Sequence, residues 1–545
     1  MSINIIKLPQ SDYTIGMKSK TIVTIIFLIA IFSINCSNEH QLRSNNEFQP
    51  IKISQKFPEN FKLGGTLRLA SNNFFNSLDP HNNSNVSDSS WGPGLIYDRL
   101  LNYEHGENVL LPSLKHECLI CSKWTLEDEQ KITFTIPNNL TWNTSPPTAL
   151  TTSDIEFSIN RIKNQKNHDF LHMIQSIDIE TENKISFQLK YPDSDFLMTL
   201  ADVKNKIVSK NLTENSEKIT LDNSIGSNSW AIEKFSPLTK ITLLNLRKND
   251  DQPFVDAIEI NVLTDSQTRL SAYMVGLIDV YEIENLTHTH KDDHLYQNQL
   301  NVIEPSTGVS LTFNTSKFPY NNRNYRNAII NAIDIDEIQT PNQYFALGMP
   351  LINKTWELDQ VKWQSQFNNP NKFSDNIEQS KVKMPMTIKM LASEYDQNYS
   401  ETIKKLTKQL TLNGFLVETT ILNNREYASK TWDQKDFDIS VGPQFPQLSP
   451  NSFLFSILHS KGNLNASNTY NIKLDKLIEE QSQSYNSQNR ENIIQEINSI
   501  LFDEMYRLMI NPKVSSWTWT DSINNFYPNF YSQEYKHWDK VWIER

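Results

Sequence analysis

No second apolar run approaches the roughly 20 residues that a membrane-spanning helix needs; the longest, over residues 22–32, is itself too short. Basic residues do not dominate. Lys and Arg number 51 against 63 Asp and Glu, a formal charge of -12, and no basic patch interleaved with aromatics occurs. That excludes the electrostatic footprint of a nucleic-acid partner. Internal repeats are absent, and low complexity is confined to Asn/Ser-rich loops. Glycine numbers only 13 in a chain rich in Asn, Ser and Ile, a bias compatible with genome composition as much as with function. No G-x-S-x-G, Walker A or H-E-x-x-H motif occurs. Nothing local supports a catalytic triad, and neither an enzyme nor a cofactor is expected.

The 38% hydrophobic and 10% aromatic content is that of a globular protein. A length of 545 residues is enough for two or more domains. Lys18 and Lys20 precede the apolar run, and Cys36 follows it. A positive segment followed by an apolar run of about 7–15 residues describes an export signal. Residues 1–36 are read as that signal, with Met17 a possible true start and Cys36 at the position of a lipid-carrying cysteine. Asn35 departs from the small residue usual before it. Residues 37–58 are polar and suit a flexible tether.

Cys118 and Cys121 form a C-x-x-C pair. In an exported protein this spacing reads first as a local disulfide. Unpaired thiols, or a redox or metal pair with His116, are the alternatives, although a structural zinc site wants four ligands. His288, His290 and His294 lie in a polar loop with Asp292 and Asp293, read as surface histidines. No metal site is expected.

The most telling stretch is GVSLTFNTSKFPYNNRNYRNAIINAIDIDEI at 308–338. Val309 to Phe313 reads as a strand, the polar run around Pro319 as a loop. Tyr325, Ala328, Ile329, Ala332 and Ile333 mark one face of a helix running toward Ile338 and stopping before Pro341. Phe313-Asn314-Thr315, Lys317, Pro319, Arg323, Arg326, Ala328 and Ala332-Ile333-Asp334 resemble a signature of the family 5 extracytoplasmic solute-binding proteins of ABC importers, which include oligopeptide and dipeptide receptors. Further segments match in order. They are LGGTLRLA at 63–70, LDP at 78–80, LIYDRLL at 95–101, LPSL at 111–114 with Trp124, IGSNSW at 225–230, GLIDV at 276–280 and PNSFL at 450–454.

The resemblance implies an α/β fold with two lobes of the periplasmic-binding-protein kind (type II, cluster C-like) and an additional smaller domain on the first lobe. The expected division is 59–82, 200–303 and 512–545 for lobe I, 83–199 for the additional domain, and 304–511 for lobe II. Trp142 is expected in a core, and the helix after Thr152 is expected to be capped by Ser153 or Asp154. LIYDRLL is expected to end a helix. Strand and helix alternate in lobe II: strands at 387–391, 416–420 and 437–441, helices at 400–412, 474–481 and 490–505.

By the same resemblance, Ser84, Asn85 and Val86 would pair with a peptide backbone as an added strand. Ser310, Thr312 and Tyr427 are further candidates for the cleft. Peptide-binding relatives hold the ligand ammonium with an aspartate in a W-x-x-D…P loop. Here the loop reads GPQFPQLSP at 442–450, with neither acidic residue nor tryptophan. A buried ammonium needs a counter-charge, so the loop points to a blocked peptide, a neutral or sugar-linked solute, a metal chelate or haem, or a peptide anchored elsewhere. Gln444 and Gln447 would hydrogen-bond it and Phe445 stack on it. The expected partners are a peptide or other small solute and the membrane permease subunits. The chain is read as a monomer at the cell surface or in the periplasm. A non-transport receptor, adhesin or chaperone on the same fold is the rival reading.

Overall fold

The computed structural model describes residues 64–81, 92–103, 116–164, 171–214, 216, 218–247, 253–283, 298–339, 348, 356, 358–394, 397–444, 449–526 and 540–544. The chain divides into Met1–Pro50 and Ile51–Arg545.

Three sheets carry the mixed α/β architecture. The first runs in the order Thr66–Ser71, Ala257–Val262, Lys240–Asn245, Trp230–Ser236. Its first two strands are parallel. Leu67 and Leu69 alternate with Thr66 and Arg68, and the buried pair meets Ile258, Ile260, Ile241 and Leu243 on one core face. Trp517, Ile523, Phe526 and Val541 complete that core, which brings the aromatic end of the chain back to the first strand.

The second sheet is antiparallel, in the order Lys123–Asp128, Lys131–Thr135, Lys184–Leu189, Ile174–Thr181. Helix Thr152–Lys163 buries Ile155, Ile159 and Ile162 against its core, where Trp142 also sits. The cap of that helix is Thr151, two residues before Ser153 and three before Asp154, the expected caps. Asp154, the third helical residue, reaches back to accept the Thr151 N–H at 2.8 Å. This is a capping box, and its carboxylate satisfies a donor that the helix leaves open.

The third sheet has six strands in the order Val280–Ile283, Arg507–Trp519, Asn298–Phe313, Ile439–Gln444, Thr387–Ser393, Leu416–Leu422. Its last three strands are parallel to one another. Val309, Leu311, Ile388, Met390, Ile439 and Val441 point to one face. There they pack with the helices Arg323–Asn331 and Gln397–Leu412. A separate apolar cluster joins the helices Ile472–Ser482 and Ser487–Glu504 to Phe453, Leu454 and Ile457.

Two expected elements differ. Helix Arg323–Asn331 stops, and a second short helix, Ile335–Ile338, begins after Asp334, whose carboxylate accepts the Asp336 N–H at 3.1 Å. The apolar period runs through the break, but the Asp334 side chain competes for the backbone donors and starts a new helix. LIYDRLL ends only a short 3-10 helix, Pro93–Ile96, and runs on into the strand Leu101–Tyr103. Tertiary contacts fix it. Asp98 accepts from Ser227 Oγ at 2.9 Å and Asn228 Nδ2 at 3.0 Å, while the buried Arg99 guanidinium donates to the Ala201 carbonyl and to Asn102.

Candidate functional site

Ligands of open α/β sheets gather beyond the carboxyl ends of parallel strands. In the first sheet that end is Ser71. A cavity of about 110 Å3 lies there, bounded by Ala70, Asn72, Arg269, Tyr281, Glu282 and Trp517. In the third sheet it is Ser393, Leu422 and Gln444. The two ends are joined by one ribbon. Asn298–Phe313 pairs with Arg507–Trp519 along its length, and the ribbon pairs with Val280–Ile283 at one end and Ile439–Gln444 at the other. Its register is interrupted twice, once by a single-residue bulge where Val309 faces Asn511 and Ser310 faces Met509, and more widely just before it. Ile303 faces Val514, whereas Gly308 faces Pro512, so residues 304–307 lie opposite the single residue 513. Pro305 has no N–H to give the ladder, and Gly308 has φ of +156°.

Three of the candidate residues lie at the third-sheet end of the ribbon. Ser310, Thr312 and Tyr427 are all buried. Ser310 Oγ donates to the Gly442 carbonyl at 3.3 Å and accepts from Arg507 Nη2 at 2.9 Å. Tyr427 Oη lies 2.6 Å from Ser440 Oγ. Arg507 Nη2 also donates to the Pro443 carbonyl at 3.2 Å. Burial pushes the Arg507 guanidinium down to about 10, so it stays charged at neutral pH. Burial likewise raises the Tyr427 phenol. Gly442 is enforced sterically: a Cβ there would sit 2.0 Å from Tyr427 Oη. These side chains brace Gly442 and Pro443 from within the lobe. Gln444 ends the strand opposite Gly308. Ser84, Asn85, Val86, Phe445 and Gln447 lie outside the described residues, as do Cys36, His288, His290 and His294.

Arg507 escaped the sequence reading. Its signal was an arginine at the head of the alternating segment RLMINPKV, next to Leu508 and Ile510 of the core.

The turn leading toward residue 82 is held by charge. Arg161 Nη1 lies 2.8 Å from Asp79 Oδ1 and 2.7 Å from His81 Nδ1. An arginine only donates, so Nδ1 accepts and Nε2 carries the proton, which it gives to the Lys206 carbonyl at 2.6 Å. Burial would raise the Asp79 carboxyl, but the Arg161 hydrogen bond and charge outweigh it and hold the carboxyl below its usual value.

Cys118 and Cys121 are joined as a disulfide. His116 beside them is half-buried, and loss of hydration pushes its imidazole down to about 4, so it is neutral at pH 7. Among the described residues no group of three His, Cys, Asp or Glu could hold a metal ion. Nor is any helix among them long and apolar enough to cross a membrane.

The fold has solved counterparts. The ABC transporter-associated periplasmic binding protein DppA of Helicobacter pylori, in complex with the peptide STSA, is 16% identical with a TM-score of 0.66, over 89% of this chain and 99% of its own. The ABC transporter substrate-binding protein CtaP of Listeria monocytogenes is 16% identical with a TM-score of 0.74, over 88% and 100%. NikA of Brucella suis, in complex with Fe(III)-EDTA, is 15% identical with a TM-score of 0.73, over 88% and 100%. No curated protein matches the chain in sequence. These likenesses establish the two-lobed fold. The model of the bacterial extracellular solute-binding proteins, family 5 (Middle), matches residues 116–465. That span contains the second sheet, the ribbon strand Asn298–Phe313 and the parallel strands of the third sheet, and the chain belongs to the bacterial extracellular solute-binding proteins of family 5.

Proposed function

We propose that this chain is the exported receptor of an ABC importer, taking a peptide or peptide-like solute between its lobes and handing it to a membrane permease. The observation that carries the reading is the ribbon. It is continuous through both sheet ends, yet its ladder is interrupted between Ile303 and Gly308. An interrupted two-stranded ladder absorbs changes in φ and ψ at few residues, which is what hinge closure requires. A solute that makes better contacts in the closed form shifts the lobes toward closure.

The solute need not carry a free ammonium. Residues 442–450 contain no acidic side chain, and the cation Arg507 donates to the Pro443 carbonyl of that segment. This favours a blocked peptide or a solute with an anionic or carbonyl-rich end. The NikA likeness, with its Fe(III)-EDTA ligand, supports a non-peptide solute as the second reading, since fold alone does not choose the ligand. Cys36 is proposed to carry a lipid anchor, with residues 37–58 as the tether.

The test is a thermal-shift panel of di-, tri- and pentapeptides beside their N-acetylated forms and metal chelates. A bound solute raises the melting temperature by mass action. Stabilisation by acetylated peptides or a chelate supports the altered loop. Stabilisation by free peptides alone would contradict it, and no stabilisation across the panel would favour a role other than transport.

A further inference from the structure

Two apolar cores, one under the antiparallel sheet and one among the helices 472–504, are separate. Where their elements meet, the seam between them is polar and buried. Asp195, Gln481 and Arg490 are 1%, 0% and 6% exposed. On one side stand Asp193, Ser194 and Asp195, which lead into the short helix Phe196–Leu200 of the first core. On the other stand Asn451, Gln481, Tyr485 and Arg490.

The contacts interlock. Arg490 Nη1 lies 2.6 Å from Asp195 Oδ1, a Coulombic contact whose N–H is not aimed along the line. The Asn451 N–H donates to Asp195 Oδ2 at 2.8 Å, and Asn451 Nδ2 donates to Asp193 Oδ1 at 2.7 Å. Asn451 Oδ1 accepts from Gln481 Nε2 at 2.8 Å and from Arg490 Nη2 at 3.1 Å. Arg490 Nε donates to Gln481 Oε1 at 3.1 Å. The main chain crosses too, the Ser194 N–H donating to the Ser482 carbonyl at 2.8 Å. Arg490 is fixed from its open face by the Trp356 ring, 4.9 Å away.

A buried carboxylate and a buried guanidinium are costly unless they meet. The elements carrying them belong to different cores, so separating the cores would strand both charges. We propose that Asp193 and Asp195, engaging Asn451 and Arg490, form a clasp between the small domain and lobe II that sets the resting balance between open and closed lobes independently of the solute. This rests on the two-lobed receptor reading.

The clasp also contains two carboxyls bridged by one residue, Asn451, whose N–H holds Asp195 and whose Nδ2 holds Asp193. Burial, and then the negative charge of Asp195, push the Asp193 carboxyl up to about 6. The other titratable groups around it are Arg490 and Tyr485 from lobe II and Tyr191 on its own segment. His116 faces Asp195 and is neutral above about pH 4. A carboxyl raised in the clasped state binds its proton there more readily than when released. Clasping is therefore favoured as pH falls through about 6 and loses that contribution above it.

Hydrogen exchange of the whole chain without solute reads the clasp at two amides, Ser194 and Asn451. Arg490→Met is expected to speed both at least about tenfold, while the amides of helix Arg323–Asn331 stay protected. In the wild type, exchange corrected for its intrinsic rate is expected to be several-fold slower at pH 5 than at pH 7.5. Asp193→Asn is expected to remove that difference. Equal exchange at Ser194 and Asn451 in wild type and Arg490→Met, or an undiminished pH effect in Asp193→Asn, would overturn the proposal. Solute affinity in the same samples separates the two ideas. Lost protection with an unchanged Kd would refute the closing role alone, whereas a chain that binds no solute yet keeps the protected amides would refute the receptor reading alone.

Discussion

The carboxylate of Asp279 is gripped by Arg68 three times over, through the backbone N–H at 2.7 Å, through the guanidinium Nε at 3.2 Å and through Nη2. Arg68 sits in the first strand and Asp279 at the entry to Val280–Ile283, so this contact ties the first sheet to the end of the ribbon. It also explains why GGTLR and G-x-x-D occur in one chain. Neither segment closes its hydrogen bonds alone.

Replacing Asp279 by Ala leaves a main-chain donor in need of a partner. Arg68 is half-exposed and can turn to water, which softens the loss. Urea unfolding is expected to show a destabilisation of about 2 kcal/mol, with Asp279→Asn intermediate. An unchanged midpoint would mean the contact contributes nothing.

Gly442 and Tyr427 form a second pair. Gly442→Ala drives a Cβ into the phenol. Thermal unfolding is expected to show a loss of about 1–3 kcal/mol, and Tyr427→Ala in the same chain should recover part of it. Additive losses in the double mutant would show that the two residues do not touch in solution.

Asp79 gives a pH dependence of defined sign. Its carboxyl is held below its usual value, chiefly by Arg161 against the opposing effect of burial. A lowered carboxyl contributes stability above its unfolded pKa, and the contribution is lost as pH falls through the folded value. Arg161→Met is expected to destabilise the chain by about 2 kcal/mol at pH 7. The gap between variant and wild type should narrow steadily below about pH 4. A gap independent of pH would assign Arg161 a packing role only.

Local patterns made much of the fold legible. Strands such as Thr66–Ser71, Lys131–Thr135 and Thr387–Ser393 announce themselves by alternation or by β-branched runs between turns. The break after Asn331 was hidden because Ala332 and Ile333 continue the apolar period into it, and only the capping chemistry of Asp334 ends the helix. The site was less legible for a different reason. Ser310 meets Arg507 across 197 positions, and Asn451 meets Asp195 across 256. Nothing in the neighbourhood of an arginine or an aspartate records such a partner. The expectation that Tyr427 belongs to the cleft came from the resemblance, and the burial that makes it a brace came from the packing around Leu391 and Phe437.

The central claim, that the lobes close on a solute about the interrupted ribbon, is tested most directly by small-angle scattering. The chain without its export signal would be measured alone and with whichever solute raises its melting temperature. Closure predicts a smaller radius of gyration at saturation, with a midpoint that follows the binding isotherm. Tight binding with an unchanged radius would contradict the account.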